Sequence, residues 1–178
     1  MSNDIRIRNA AVWGVCFMAA AVYFLTVPYI ENMFSDVIAR FFVLELAIFL
    51  FTLTFVLHIK GFVYLGRKVG SFFLVRSAQA MIVALVLVEV LVMANILFVT
   101  DNDPELARFT DAFIGLFAFL FIAAALSYGV AIARLYKRLG VFAVGSAFIG
   151  LSFVFMWQPW PAILLFIPST ILFFRESR

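Results

Sequence analysis

Apolar side chains run almost unbroken over residues 10–30, 41–59, 77–99, 112–133, 141–157 and 159–174, with short polar or turn-rich stretches between them. The first four runs are 19 to 23 residues long, enough for an α-helix to cross the ~30 Å hydrocarbon core of a bilayer. The last two need a separate argument. Residues 141–174 form 34 nearly apolar positions, and as one helix they would measure about 51 Å at ~1.5 Å per residue. The break falls at Trp157-Gln158-Pro159-Trp160-Pro161, because prolines stop a helix and Trp prefers the membrane–water interface. Two short helices joined by a tight hairpin are expected, with a kink at Pro168 in the second. The pattern therefore predicts an all-α integral membrane protein. It is a single domain over 1–178, built as a bundle of six transmembrane helices.

Composition agrees. Hydrophobic residues make up 66% of the chain and charged residues 13%, against about 45–50% and about 25% in soluble domains. A water-soluble fold of this size cannot bury that much apolar surface, so the bilayer is the expected solvent. Phenylalanine is abundant, at 24 of 178 residues; it serves equally as a lipid-facing filler or as a groove lining. Arg6 and Arg8 ahead of an apolar run resemble the start of a signal peptide. The run continues to Ile30, however, so a first spanning helix is expected instead.

Charge sets the orientation. With six spans, Arg6, Arg8, Lys60, Arg67, Lys68, Arg76, Arg134, Lys137, Arg138, Arg175 and Arg178 share one side, leaving only Arg40 and Arg108 of the 13 basic residues on the other. That other side carries Glu31, Asp36, Asp101, Asp103, Glu105 and Asp111. The positive-inside rule then places both termini in the cytoplasm, and the short loops point to the inner (plasma) membrane of a bacterium. Segment 60–76 mixes basic and aromatic residues. It reads as an interfacial stretch that sets topology by snorkelling, or that meets anionic lipid or a partner. In the outer loop, Asp103 and Pro104 suit an N-cap and a first helical position. Asp101, Asp103 and Glu105 lack the Gly and distal Glu of a calcium loop. Leu65-Gly66 with Val69-Gly70-Ser71 matches Leu139-Gly140 with Val144-Gly145-Ser146 only across a one-residue gap and in abundant residue types, which chance explains.

Small residues mark a helix seam. Ala125, Gly129 and Ala133 recur every four residues in the fourth helix; Ala143 and Ala147, with Ser146 and Gly150, do so in the fifth. Such spacing lets backbones approach closely. The two helices are expected to pack on each other.

Two carboxylates interrupt the apolar runs. Glu89 lies ten residues from position 99, about 15 Å deep and near the bilayer midplane. An ionised side chain there costs about 2.5–3.5 kcal/mol, and Arg76 is about 20 Å away along the axis, so the protonated form is expected. That carboxyl still needs a hydrogen-bond partner. Thr52 of the second helix, about 16 Å deep, is the best internal candidate. Glu45 lies about 6–7 Å below the outer surface, at the depth of Asn95 and within range of Arg40 or Arg108. Tyr23 and Thr26 of the first helix reach a similar level. Glu89, Glu45, Asn95 and Thr52 thus form a candidate intramembrane polar site.

Other chemistry is scarce. His58 and Cys16 each stand alone, so zinc, bis-histidine haem, disulfide and Cys–His catalysis lack partners. Gly61, Gly66 and Gly70 lack the Lys-Ser/Thr ending of a phosphate loop. No histidine matches the depth of Ser146. Neither metal nor cofactor is expected, nor nucleic-acid binding, because topology accounts for eleven basic residues. The expected role is a non-catalytic membrane subunit or scaffold in the bilayer, with a membrane-protein partner or as a homo-oligomer. The alternative is a small proton- or cation-linked transporter or channel using Glu89.

Overall fold

The computed structural model describes the backbone of residues 3–31, 37–98, 104–152 and 159–178. It describes the side chains of these except 28, 29, 31, 37–41, 93–98, 104–107, 150–152, 159–163 and 165. Seven helices follow one another among the described residues: α1 (Asn3–Glu31), α2 (Val37–Val69), α3 (Phe72–Phe98), α4 (Pro104–Ala133), α5 (Tyr136–Leu139), α6 (Val141–Ser152) and α7 (Pro159–Glu176). Four stretches are long and apolar enough to cross a membrane: Asn3–Val27, Phe42–Val69, Phe72–Val92 and Arg108–Ala133. Of the break expected at Trp157-Gln158-Pro159-Trp160-Pro161, Trp157 and Gln158 lie outside the described residues, and α7 begins at Pro159.

Several helices outrun their apolar cores. α2 continues ten residues past position 59, and α1 begins at Asn3. Counting apolar residues stops at Lys60, but long basic side chains lie along a helix and reach out to water. Beyond Lys60, Phe62, Val63 and Leu65 remain buried, so the inward face persists. Most of segment 60–76 is therefore helix, shared between the end of α2 and the start of α3. α2 ends in a Schellman motif: Ser71 N–H donates to Gly66 O at 2.8 Å, Gly70 N–H to Arg67 O at 3.4 Å, and Gly70 has φ +70°. Positive φ suits glycine, which has no Cβ to clash. Gly140, at φ +75°, makes the matching turn into α6. The turn glycines are thus Gly70 and Gly140, whereas Gly66 sits within α2; the 65–73 and 139–148 match does not align the turns.

The helices close a ring. α1 packs on α2, α2 on α3, α3 on α4, α4 on α6, α6 on α7, and α7 back on α1, while α7 also touches α2. The core is aromatic: Phe17, Phe55, Phe62, Phe166, Phe173 and Tyr128 are fully buried. Phe17 stacks on Phe166 at 4.1 Å and Phe62 meets Phe173 at 4.5 Å between ring centroids. Phe42, Phe49, Phe109 and Phe119 point outward. Phenylalanine is thus divided between the core and the outer surface of the ring.

Basic side chains sew one end of the ring together. Lys68 Nζ lies 2.8 Å from Asp4 Oδ1 and also donates to Glu176 O. Arg138 Nη1 donates to Val69 O at 2.8 Å, and Arg175 Nη2 to Leu139 O at 2.6 Å. The last carbonyls of a helix lack intrahelical partners and carry partial negative charge, so cations belong there. The first turn of α1 and the last turns of α2 and α7 meet at this end.

Candidate functional site

Glu89 and Thr52 face each other across the α2–α3 seam. The Thr52 hydroxyl donates a hydrogen bond to Glu89 Oε1. Thr52 is buried and Glu89 half-buried. Seven residues separate Glu45 from Thr52, two helical turns on the same face, and the Glu45 carboxyl lies close enough to act electrostatically on Glu89. Glu45 Oε1 is buried and has no hydrogen-bond partner among the described residues. The result is a carboxyl and a hydroxyl meeting from two helices, with a second carboxyl two turns away on the face of α2 that carries Thr52. All the donors are oxygen, the chemistry that suits protons and hard cations.

Other expected members do not join. The Asn95 side chain lies outside the described residues, as does that of Arg40. The Thr26 hydroxyl donates to Tyr23 O, 2.7 Å away in its own helix, and is exposed. It contributes nothing to the pair. Arg108 is exposed and forms no ion pair among the described residues.

The small-residue stripes meet as an internal seam between α4 and α6. A Cβ on Gly129 would stand 2.9 Å from Ala147 O. Ala125 and Ala143 are fully buried. Tyr128 Oη donates to Ser146 O at 3.1 Å, and Ser146 Oγ bonds Phe142 O at 2.7 Å. Ala133 is exposed, and the side-chain surroundings of Gly150 lie outside the described residues.

His58 is the site that sequence reasoning missed. It stands at the edge of the apolar run 41–59, but α2 runs on to Val69, so it sits eleven residues, about 16 Å, inside the helix end. It is fully buried. Its Nδ1 lies 2.9 Å from Ala10 O on α1, and its Nε2 lies 2.8 Å from Ser169 Oγ on α7. A carbonyl only accepts, so Nδ1 carries the hydrogen. Ser169 Oγ also lies 2.8 Å from Phe166 O, and its single proton serves one of the two partners at a time. Phe62, Phe166 and Phe173 surround the ring. Gly14 gives this cluster room: a Cβ there would stand 2.3 Å from Thr170 Oγ1 and 2.6 Å from His58 Nδ1. The legible signal was the Ser169-Thr170 pair after Pro168, which lacked only an assigned neighbour. Three helices are pinned by one imidazole, a structural use of histidine.

Among the described residues, no three His, Cys, Asp or Glu side chains are grouped so as to hold a metal ion. No family model matches the chain, and neither a curated protein nor a solved structure is significantly similar to it.

Proposed function

We propose that this chain is a six-span protein of the bacterial plasma membrane with both termini in the cytoplasm, and that Glu89 and Glu45 bind a proton or monovalent cation during transport. The carrying observation is the Thr52–Glu89 hydrogen bond within the apolar bundle, with the buried Glu45 Oε1, unpartnered among the described residues, two turns along the same face of α2. Two carboxylates in a low-dielectric site repel strongly unless a proton or cation lies between them. Intramembrane carboxylates mark ion pathways by default. The six-span topology draws support from Lys68, which ties the first turn of α1 to the last turn of α7. An even number of crossings returns the chain to its starting side. The test is proton and cation flux in proteoliposomes. Wild-type protein is expected to conduct, and Glu89→Gln to lower flux at least about tenfold while the fold survives. Equal flux in both proteins removes Glu89 from the mechanism.

A second reading, a non-catalytic subunit or scaffold, draws support from the outer face of the α4–α6 seam. An apolar groove of about 290 Å³ runs there between Leu126, Val130, Val144 and Phe148. Grooves of this kind seat a partner transmembrane helix. Native mass spectrometry of protein extracted gently from its own membrane tests it: a stoichiometric protein partner supports the subunit, and a lone chain opposes it.

A further inference from the structure

Four cations surround one cavity at the basic end of the ring. Arg6 of α1, Lys60 and Arg67 of α2, and Arg76 of α3 line a space of about 520 Å³. Lys60 and Arg67 are seven residues apart and so share a face of α2. No acidic residue lines the cavity. Among the described residues the ion pairs are Lys68 with Asp4 and Arg175 with Glu176, so none of the four is matched by a carboxylate. Arg6 sits over the Tyr64 ring at 5.2 Å and Arg76 over the Phe72 ring at 5.0 Å. Those contacts orient the guanidinium groups and leave their charge intact.

The positive-inside rule explains why these residues are on one side, but not why they converge. Lys68, Arg138 and Arg175, on the same side, are bound to a carboxylate or to helix carbonyls. Of the eight basic residues on this side with no such bond among the described residues, four converge on the cavity, and Arg8, Arg134, Lys137 and Arg178 lie apart from it. A cavity of this volume is roughly 10 Å across, comparable with the ~8 Å Debye length at physiological salt, so the four charges repel one another unless an anion joins them.

The apolar lining identifies the anion's tail. Val63, Ile82 and Val83 line the cavity beside the cations. Val83 lies seven residues, about 10 Å, below Arg76 along α3. An adjoining space of about 390 Å³ shares Arg6, Lys60 and Tyr64 and reaches Trp13, an aromatic of the kind found at headgroup level. The trough is lined by four cations and, toward the middle of α3, by apolar side chains. We infer that this trough is a binding site for an anionic phospholipid. Arg6, Lys60, Arg67 and Arg76 hold the phosphate, and the acyl chains lie against Val63, Ile82 and Val83. Basic pockets between transmembrane helices recognise lipid headgroups in this way.

The test is native mass spectrometry of delipidated protein in detergent, titrated with phosphatidylglycerol or with phosphatidylcholine of the same chains. One phosphatidylglycerol is expected to stay bound where phosphatidylcholine does not. Each surface cation contributes about fivefold in affinity, so Arg67→Gln with Arg76→Gln weakens binding about 25-fold. Arg67→Lys with Arg76→Lys keeps it. The control pair Lys137→Gln with Arg178→Gln, equal in charge but away from the trough, leaves binding unchanged. Should the double variant not fold, Arg76→Gln alone is expected to weaken binding about fivefold. Equal binding of the two lipids, equal loss in the control pair, or displacement of the lipid by millimolar inorganic phosphate overturns the proposal; the last result would assign the trough to a free phosphate compound.

Discussion

Thr52 on α2 and Glu89 on α3 are joined by a hydrogen bond from hydroxyl to carboxyl across the seam between the two helices. Thr52→Val keeps the shape and removes the donor. Interhelical bonds of this kind contribute about 0.6 kcal/mol on average and about 1.7 at most. Unfolding of Thr52→Val in mixed micelles should show a loss within that range, with Thr52→Ser near wild type. A loss of several kcal/mol would mean that Thr52 does more than hold Glu89.

Gly14 and Gly115 separate close packing from helix propensity. A Cβ at Gly14 meets Thr170 Oγ1 and His58 Nδ1, whereas at Gly115 nothing lies within 4 Å. Gly14→Ala is expected to destabilise by about 1–3 kcal/mol through overpacking. Gly115→Ala should be neutral or stabilise by up to about 1 kcal/mol, because alanine favours the helix. Thermal unfolding in one detergent compares them directly. Equal effects would dissolve the argument for a tight α1–α2–α7 junction.

The α4–α6 seam should tolerate less than the carboxylate pair. Gly129→Leu drives a branched side chain into Ala147 O and is expected to reduce the yield of folded monomer severely. Glu89→Gln, which keeps size and a hydrogen-bonding oxygen, should leave yield near wild type. Size-exclusion profiles of the two variants decide this. Equal tolerance would show that backbone approach at Gly129 is dispensable.

Topology can be read with thiol labelling in a Cys16→Ser background, since Cys16 is the only cysteine. Lys137→Cys and Arg178→Cys should react with an impermeant maleimide only after cells are permeabilised. Arg108→Cys should react in intact cells. Labelling of Arg178→Cys from outside would reduce the spans to an odd number.

Much of the helical framework was legible in the sequence because the bilayer imposes one simple demand, a long apolar run. The Gly129 seam and the level of Thr52 against Glu89 followed from spacing and from rise per residue. The helix ends were less legible. Apolar counting halts at Lys60, although the buried face of α2 continues through Phe62 and Leu65. His58 stands at the edge of that apolar run, so its bonds to Ala10 and Ser169 were not legible. Pairing of α1 with α7 depends on ring closure between residues some 160 positions apart, which no local pattern encodes. For the same reason the trough at Arg6, Lys60, Arg67 and Arg76 was visible only as a count of charges.

Infrared difference spectroscopy of the carboxyl C=O stretch, recorded on reconstituted protein during a step in external pH or monovalent cation, tests the Glu89–Glu45 site most directly. A carboxyl band that responds to the step in wild type and vanishes in Glu89→Gln is the predicted result. A spectrum with no responsive carboxyl, or one unchanged by Glu89→Gln, would contradict an ion-binding role and leave Glu89 as a hydrogen-bonded strut between α2 and α3.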